Sequence, residues 1–244
     1  MIELYHSTHS TCSQKVRICL AEKGLAWTPH HLDLRRFDQL KEEFLAINPA
    51  AMVPVLLDGG KTLTESRIIN EYLEDAYPQP RLTPSSAYDR ARMRLWSKYV
   101  DEVVSEAIKL PSFAKNIQPE LQRMPREEAL ALVAAIPDPH VRERWRKAAT
   151  EGIQPDDLQP SVARLVEMVE RMDHALQGGP WLAGDAYSLA DIDTAPFVQR
   201  LVRIELFDLV TQRPRVSEWY ERISARPAYR SAMPPVGSEG TRVA

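Results

Sequence analysis

A chain of 244 residues that is 44% hydrophobic and 27% charged can bury a sizeable core and is long enough for two domains, which excludes a disordered or collagen-like protein. Its net charge of −3, with no Lys/Arg run, argues against a nucleic-acid partner. The apolar runs, such as Ala129 to Ile136, are far too short to span a membrane, and no basic-then-apolar leader opens the chain, so the expectation is a cytoplasmic protein with reduced cysteines.

Ile2 to Tyr5 alternates apolar and polar and predicts a strand; a helix follows from about Cys12 to Lys23, with Val16, Cys19 and Leu20 on one face and Gly24 as its left-handed stop. Between them, Ser10-Thr11-Cys12-Ser13 places three hydroxyls and a thiol on the first helical turn. Free N–H groups and the positive end of the macrodipole favour a thiolate there. Cys12 and Cys19 stand about two turns apart on one helix, too far for a disulfide. Trp27 to Leu34 predicts a second strand, and Pro29 within it marks a sheet edge. His30 and His31, adjacent on that strand, face opposite ways, and no other cluster has ligand spacing, so no metal is expected.

Pro54 stands at the start of the next strand. A cis bond before it would turn the Val53 backbone outward to pair with an extended peptide. Val53 to Leu57 and Thr62-Leu63 flank Asp58-Gly59-Gly60-Lys61 as a hairpin. Glu65 to Tyr77 then predicts a helix burying Ile68, Ile69, Tyr72, Leu73 and Ala76, with Ser66 at the end that would hold a carboxylate.

From residue 86 the periodicity is helical. One helix is expected from Ala87 to about Phe113 with Trp96, Val100, Val103, Val104 and Ala107 in register, and another from Leu158 to Leu176. Between them Asp138-Pro139 opens a short basic helix through Trp145, bounded by Pro137 and Pro155. Ser188-Leu189-Ala190-Asp191 is a capping box stapled by Tyr187 and Ile192; a further helix follows Pro214, and residues 234–244 form a tail. The division expected is an α/β domain over 1–80 and an all-α domain over 86–233.

The thiol-bearing turn, the strand-opening proline and the Ser66 helix start together fit a small peptide with a central thiol and a free carboxylate, the form of glutathione. At Ser10 to Arg17, Asn48-Pro49, Val53-Pro54-Val55-Leu56, Glu65-Ser66, Leu182 to Ile192 and Ala225-Arg226-Pro227 the chain resembles the glutathione transferases, over nearly its whole length. The resemblance implies a thioredoxin-like N-terminal domain, a helical-bundle C-terminal domain, a homodimer, and glutathione as co-substrate. It implies glutathione contacts from Val53, Pro54, Glu65 and Ser66, with Gln39 and Lys41 at the glycine end.

The nucleophile position divides among branches of that family. Ser10 matches the activating serine of zeta-like members, Cys12 the cysteine of beta-class members and chlorohydroquinone dehalogenases, and Ser13 the serine of bacterial β-etherases. Beside these roles stand plainer ones: Ser10 or Ser13 as the helix cap, Cys12 and Cys19 as small buried hydrophobes. Trp96, Tyr99 and Trp145 are candidates for an apolar substrate pocket, roofed by the segment from Asn116 to Asp157. The expected reaction is glutathione attack on a bulky aromatic electrophile, with β-aryl ether cleavage ahead of reductive dehalogenation or isomerisation. A non-catalytic glutathione-fold binding protein is the alternative from another class.

Overall fold

The computed structural model describes residues 1–136 and 138–234. The expected boundary at Pro137 and the expected tail beyond Pro234 lie outside the described residues. Four strands form one sheet in the order β2-β1-β3-β4: β1 (Ile2–His6), β2 (Trp27–His31), β3 (Val55–Asp58) and β4 (Lys61–Leu63). β2 lies at the edge, where the missing N–H of Pro29 breaks no central ladder. The β3–β4 turn has Gly59 at φ 55 and Gly60 at φ 80, the two positive values that a tight hairpin requires and that glycine alone adopts freely.

Strand direction decides where loops meet. β1 pairs parallel with β2 (His6 beside His31) and antiparallel with β3 (Tyr5 beside Val55), while Leu56 of β3 faces Leu63 of β4. The chain therefore leaves β1 and β2, enters β3 and leaves β4 at one end of the sheet. Parallel β1 and β2 need a crossover, and α1 (Thr11–Glu22) supplies it.

α1 corrects the expectation of a one-sided helix. Every residue from Ser13 to Leu20 is buried, including Lys15 and Arg17, because the helix is enclosed by α3 (Ser66–Ala76), α10 (Leu189–Arg203) and α13 (Pro227–Ala232). α3 differs too: Ile69 and Leu73 are buried as expected, but Ile68 and Ala76 face outward, and the inner face is completed by Ser66, Asn70 and Glu74. Asn70 and Glu74 take two of those places because partners await them. Asn70 Nδ2 donates to Asp193 at 3.0 Å, and Glu74 accepts from Lys23 at 2.7 Å and from the Leu82 N–H. Lys23 also donates to the carbonyls of Tyr77 and Pro80, which pins the linker after α3.

The helix expected over Ala87 to Phe113 is three pieces: α4 (Ala87–Tyr99), a π-helical turn at Val100–Val104, and α5 (Ser105–Asn116). The short α2 (Glu42–Leu45) precedes β3, and α6 (Gln118–Arg123), α7 (Arg126–Ala134) and α8 (Pro139–Thr150) follow α5. Asp138 caps α8 by accepting from the N–H groups of His140 and Val141, and the helix runs well past Trp145. α5 to α8 enclose a small core of their own around Phe113, Leu121, Ala148 and Ile153. α9 (Pro155–Ala175), α10, α11 (Asp208–Thr211), α12 (Pro214–Ser224) and α13 complete the bundle, with Leu189 to Leu201 of α10 wholly buried at its centre.

The capping box forms as the sequence indicates. Ser188 and Asp191 satisfy one another's backbone donors, and Asp191, itself fully buried, also accepts from Leu182 N–H at 3.0 Å and Trp219 Nε1 at 2.8 Å. Gly184, at φ 122, closes the tight turn that presents Leu182 to it.

Candidate active site

Because four segments meet at one end of the sheet, so do the residues the sequence singled out. The exit of β1 leads into Ser10 to Ser13, that of β2 into Gln39 and Lys41, the entrance of β3 carries Val53-Pro54, and the exit of β4 carries Glu65-Ser66.

Ser10 is the cap of α1: its Oγ accepts from the Ser13 N–H at 3.2 Å. Ser13 is fully buried, and its Oγ accepts from the Ser7 N–H at 3.3 Å. Each hydroxyl spends its oxygen on a backbone donor and keeps its own proton. Cys12, half-buried and free, lies between them; Cys19 is a core residue whose burial pushes its thiol far above the ordinary range.

The loop before this turn is held rigid by cations. Arg17 donates to the carbonyls of Ser7 and Thr8, to His6 Nδ1 and to the Ala232 carbonyl of α13, while Gln14 donates to Thr8 and Arg200 to the His9 carbonyl. Burial, then the Arg17 charge, lowers His6 to about 4, so it is a neutral member of this clamp. His30 stacks on Tyr5 and bonds Glu3, whereas His31 bonds Thr8; the two histidines diverge as expected.

The Val53–Pro54 bond is cis. Among the described residues no hydrogen bond takes up the Val53 N–H or C=O, which leaves both for an added strand. Glu65 sits at φ 65 immediately before α3, a left-handed conformation uncommon outside glycine. Ser66 is the first residue of α3, 5% exposed, and its hydroxyl has no partner among the described residues. Gln39 Oε1 is buried and unpartnered, an acceptor for an incoming N–H; Lys41 is exposed and paired with Asp38 at 2.7 Å. A free backbone edge, a helix start and an unspent amide thus lie at the same end of the sheet as the thiol-bearing turn.

The three pocket candidates are not brought together. Trp96 and Tyr99 meet edge to face on α4, with Arg171 of α9 over the Tyr99 ring at 4.5 Å, and both belong to the main core. Trp145 belongs to the separate small core, against Phe113 and Phe37. The reason is that α8 packs on α6 and α7, not on α4.

One element of the site escapes the sequence. Lys15, fully buried, lies one helical turn after Cys12 and pairs with Asp101 at 2.6 Å and Asp193 at 3.6 Å. Burial alone would lower the ammonium, but Asp193, Cys12 and Asp101 hold it above its ordinary value, while burial pushes Asp193 up against the pull of Lys15. The only local hint is the spacing, a lysine three residues after the candidate nucleophile on the same helical turn.

The N-terminal domain pattern of glutathione S-transferases matches residues 4–81, and their C-terminal domain pattern matches residues 128–222. Protein LigF of Sphingobium sp. is 34% identical over 234 residues, 93% of this chain and 91% of LigF. Its crystal structure, described as that of a β-etherase, superimposes with a TM-score of 0.85 at 32% identity, covering 95% of this chain and 98% of the other. A zeta-class glutathione S-transferase of Euphorbia esula is 29% identical over 98% of this chain and 93% of its own. Glutathione S-transferase TCHQD of Arabidopsis thaliana is 25% identical over 95% and 89% respectively. Matched in both domains and along nearly its whole length, the chain belongs to the glutathione S-transferase family, enzymes that use glutathione as co-substrate.

Proposed function

We propose that this transferase cleaves β-aryl ethers: the glutathione sulfur attacks the ether-bearing carbon, the carbon–oxygen bond breaks, and the phenolate leaves with the electron pair as a thioether forms. The observation that carries this is the 0.85 TM-score to the β-etherase LigF over 95% of the chain. Residues 1–80 would bind glutathione and residues 86–233 the aromatic substrate. Val53 pairs with the cysteinyl backbone, Pro54 fixes that edge, Glu65 and Ser66 take the free α-amino acid end, and Gln39 with Lys41 meets the glycine end. Ser10 donates its unspent proton to the thiolate, with the Cys12 thiol beside it. Ser13, lacking exposed surface, sets the turn through Ser7.

Cytoplasmic placement and a homodimer complete the proposal. The described residues contain no helix long and apolar enough to cross a membrane. Support for the dimer comes from exposed apolar side chains, Met52 (57%), Ile68 (45%) and Leu95 (66%). Light scattering that gives a dimer supports this, and a 27.8 kDa monomer at micromolar concentration refutes it.

The function is tested by incubating the protein with glutathione and a fluorogenic β-aryl ether, in parallel with a chlorinated hydroquinone. Phenol release from the ether is the expected result. Chloride release alone would assign dehalogenation instead, and turnover only of small generic electrophiles would refute both. Ser66→Ala should weaken glutathione by about 1.5–3 kcal/mol, the contribution of a hydrogen bond to a charged group. Unchanged affinity would remove Ser66 from the site.

A further inference from the structure

The loop leaving β2, residues 33–41, consists of two short 3-10 turns, Leu34–Arg36 and Asp38–Leu40, joined at Phe37. It closes on itself: the Asp38 carboxylate accepts from the Asp33 N–H at 2.8 Å, and the Asp38 N–H donates to the Asp33 carbonyl at 3.2 Å. The join puts Phe37 at φ 58 and ψ 33, left-handed backbone where a bulky aromatic residue is an outlier. Such a conformation persists only where surrounding contacts enforce it.

Those contacts come from the helical domain. The Phe37 ring lies 5.3 Å from that of Trp145 on α8, inclined at 46°, and Trp145 is backed by Phe113 at 5.1 Å in the small core of α5 to α8. Two residues before Phe37, Arg35 donates to Glu120 of α6 at 2.9 Å. One apolar contact and one ion pair thus tie the α6–α8 unit to this loop. Two residues after Phe37 stands Gln39, with its buried, unpartnered Oε1.

We infer that the Phe37–Trp145 pair is a latch by which α6–α8 hold loop 33–41 in the form that receives glutathione, making Trp145 a positioning residue for the thiol co-substrate instead of a wall of the aromatic pocket. The inference rests on the proposal that glutathione lies at the shared end of the sheet with Gln39 at its glycine end. Without the indole, the join keeps the Asp33–Asp38 closure and the Arg35–Glu120 pair but loses the aromatic contact that holds Phe37 in left-handed backbone, so Phe37 relaxes toward ordinary backbone and Gln39 shifts from the site. The loop must then be ordered again at each binding event, which weakens glutathione without touching the reacting atoms.

The test is calorimetric titration of glutathione into the full chain and its variants, with steady-state kinetics on the β-aryl ether. Trp145→Ala should raise the glutathione Kd about two- to tenfold, the range an aromatic pair supplies, while kcat at saturating glutathione and KM for the ether change less. Trp145→Phe should restore most of the affinity. Phe37→Gly should weaken glutathione similarly, and the double variant no more than either single one, because both break the same contact. Should Trp145→Ala fail to fold, Trp145→Leu fills the small core without the indole and must show the same rise. Unchanged glutathione affinity in a folded variant overturns the latch, the more so if KM for the ether rises. Ser66→Ala separates the two levels: if it weakens glutathione and Trp145→Ala does not, the site stands and the latch falls; if neither does, both fall.

Discussion

Asp191 gives a prediction whose sign runs against intuition. Its carboxylate is fully buried and accepts from the N–H groups of Leu182 and Ser188 and from Trp219 Nε1. Asp191→Ala orphans three buried donors at about 2 kcal/mol each, roughly 6 kcal/mol in all. Against this, burial pushes the carboxyl from the ordinary 3.8 up to about 6, even though these three hydrogen bonds and a fourth from the Ser188 hydroxyl pull it down, so ionised Asp191 itself costs about 3 kcal/mol at neutral pH. The net loss at pH 7 is therefore about 3 kcal/mol. Because the folded value lies above the unfolded one, the native state binds the extra proton; the stability this group contributes is complete below pH 3.8 and is lost as pH rises through about 6. At pH 5, one unit below the folded value, the wild type regains about 1.4 kcal/mol, and Asp191→Ala must be more damaging there than at pH 7 by that amount. Urea unfolding followed by far-ultraviolet circular dichroism, at fixed protein concentration and both pH values, measures the difference, and other carboxylates cancel between wild type and variant. A penalty that is equal at the two pH values, or larger at pH 7, refutes the reasoning.

Lys15→Met leaves buried Asp193 beside Asp101 without its cation, and should cost about 3–5 kcal/mol by the same unfolding measurement, part of which Asp193→Asn in that background returns. An additive double variant would dissolve the proposed ion group. Ser10→Ala removes the cap bond to Ser13 and should lower stability by about 1 kcal/mol. If Ser10 also donates to the thiolate, turnover falls at saturating glutathione, whereas a stability loss with full turnover confines it to capping. Of the two cysteines, only Cys12 should react with an aromatic disulfide reagent in the native protein, and both after unfolding, since Cys19 is fully enclosed. Two fast native thiols would contradict the packing around α1.

Features whose cause lies within a few residues were readable from the chain alone. The edge placement of β2 follows from one proline, the β3–β4 turn from two glycines, the α10 start from Ser188 and Asp191, and the cis bond from a proline opening a strand. The motifs at Ser10, Val53 and Glu65 also point to one binding chemistry, because each is a short run of backbone and hydroxyl groups with its own geometry. Only the tertiary structure decided which face of α3 turns inward, that α1 is buried all round with Lys15 inside it, that Ser13 has no exposed surface, and that Trp145 sits apart from Trp96 and Tyr99. The physical reason is common to these. A lysine, an asparagine or a glutamate reads as surface until its partner is known, and the partners of Lys15, Asn70 and Glu74 come from Asp193, Lys23 and the linker at Leu82. A buried charge is tolerable only when such a partner arrives from elsewhere in the fold, and that meeting is a property of the packed molecule, not of any window of its sequence.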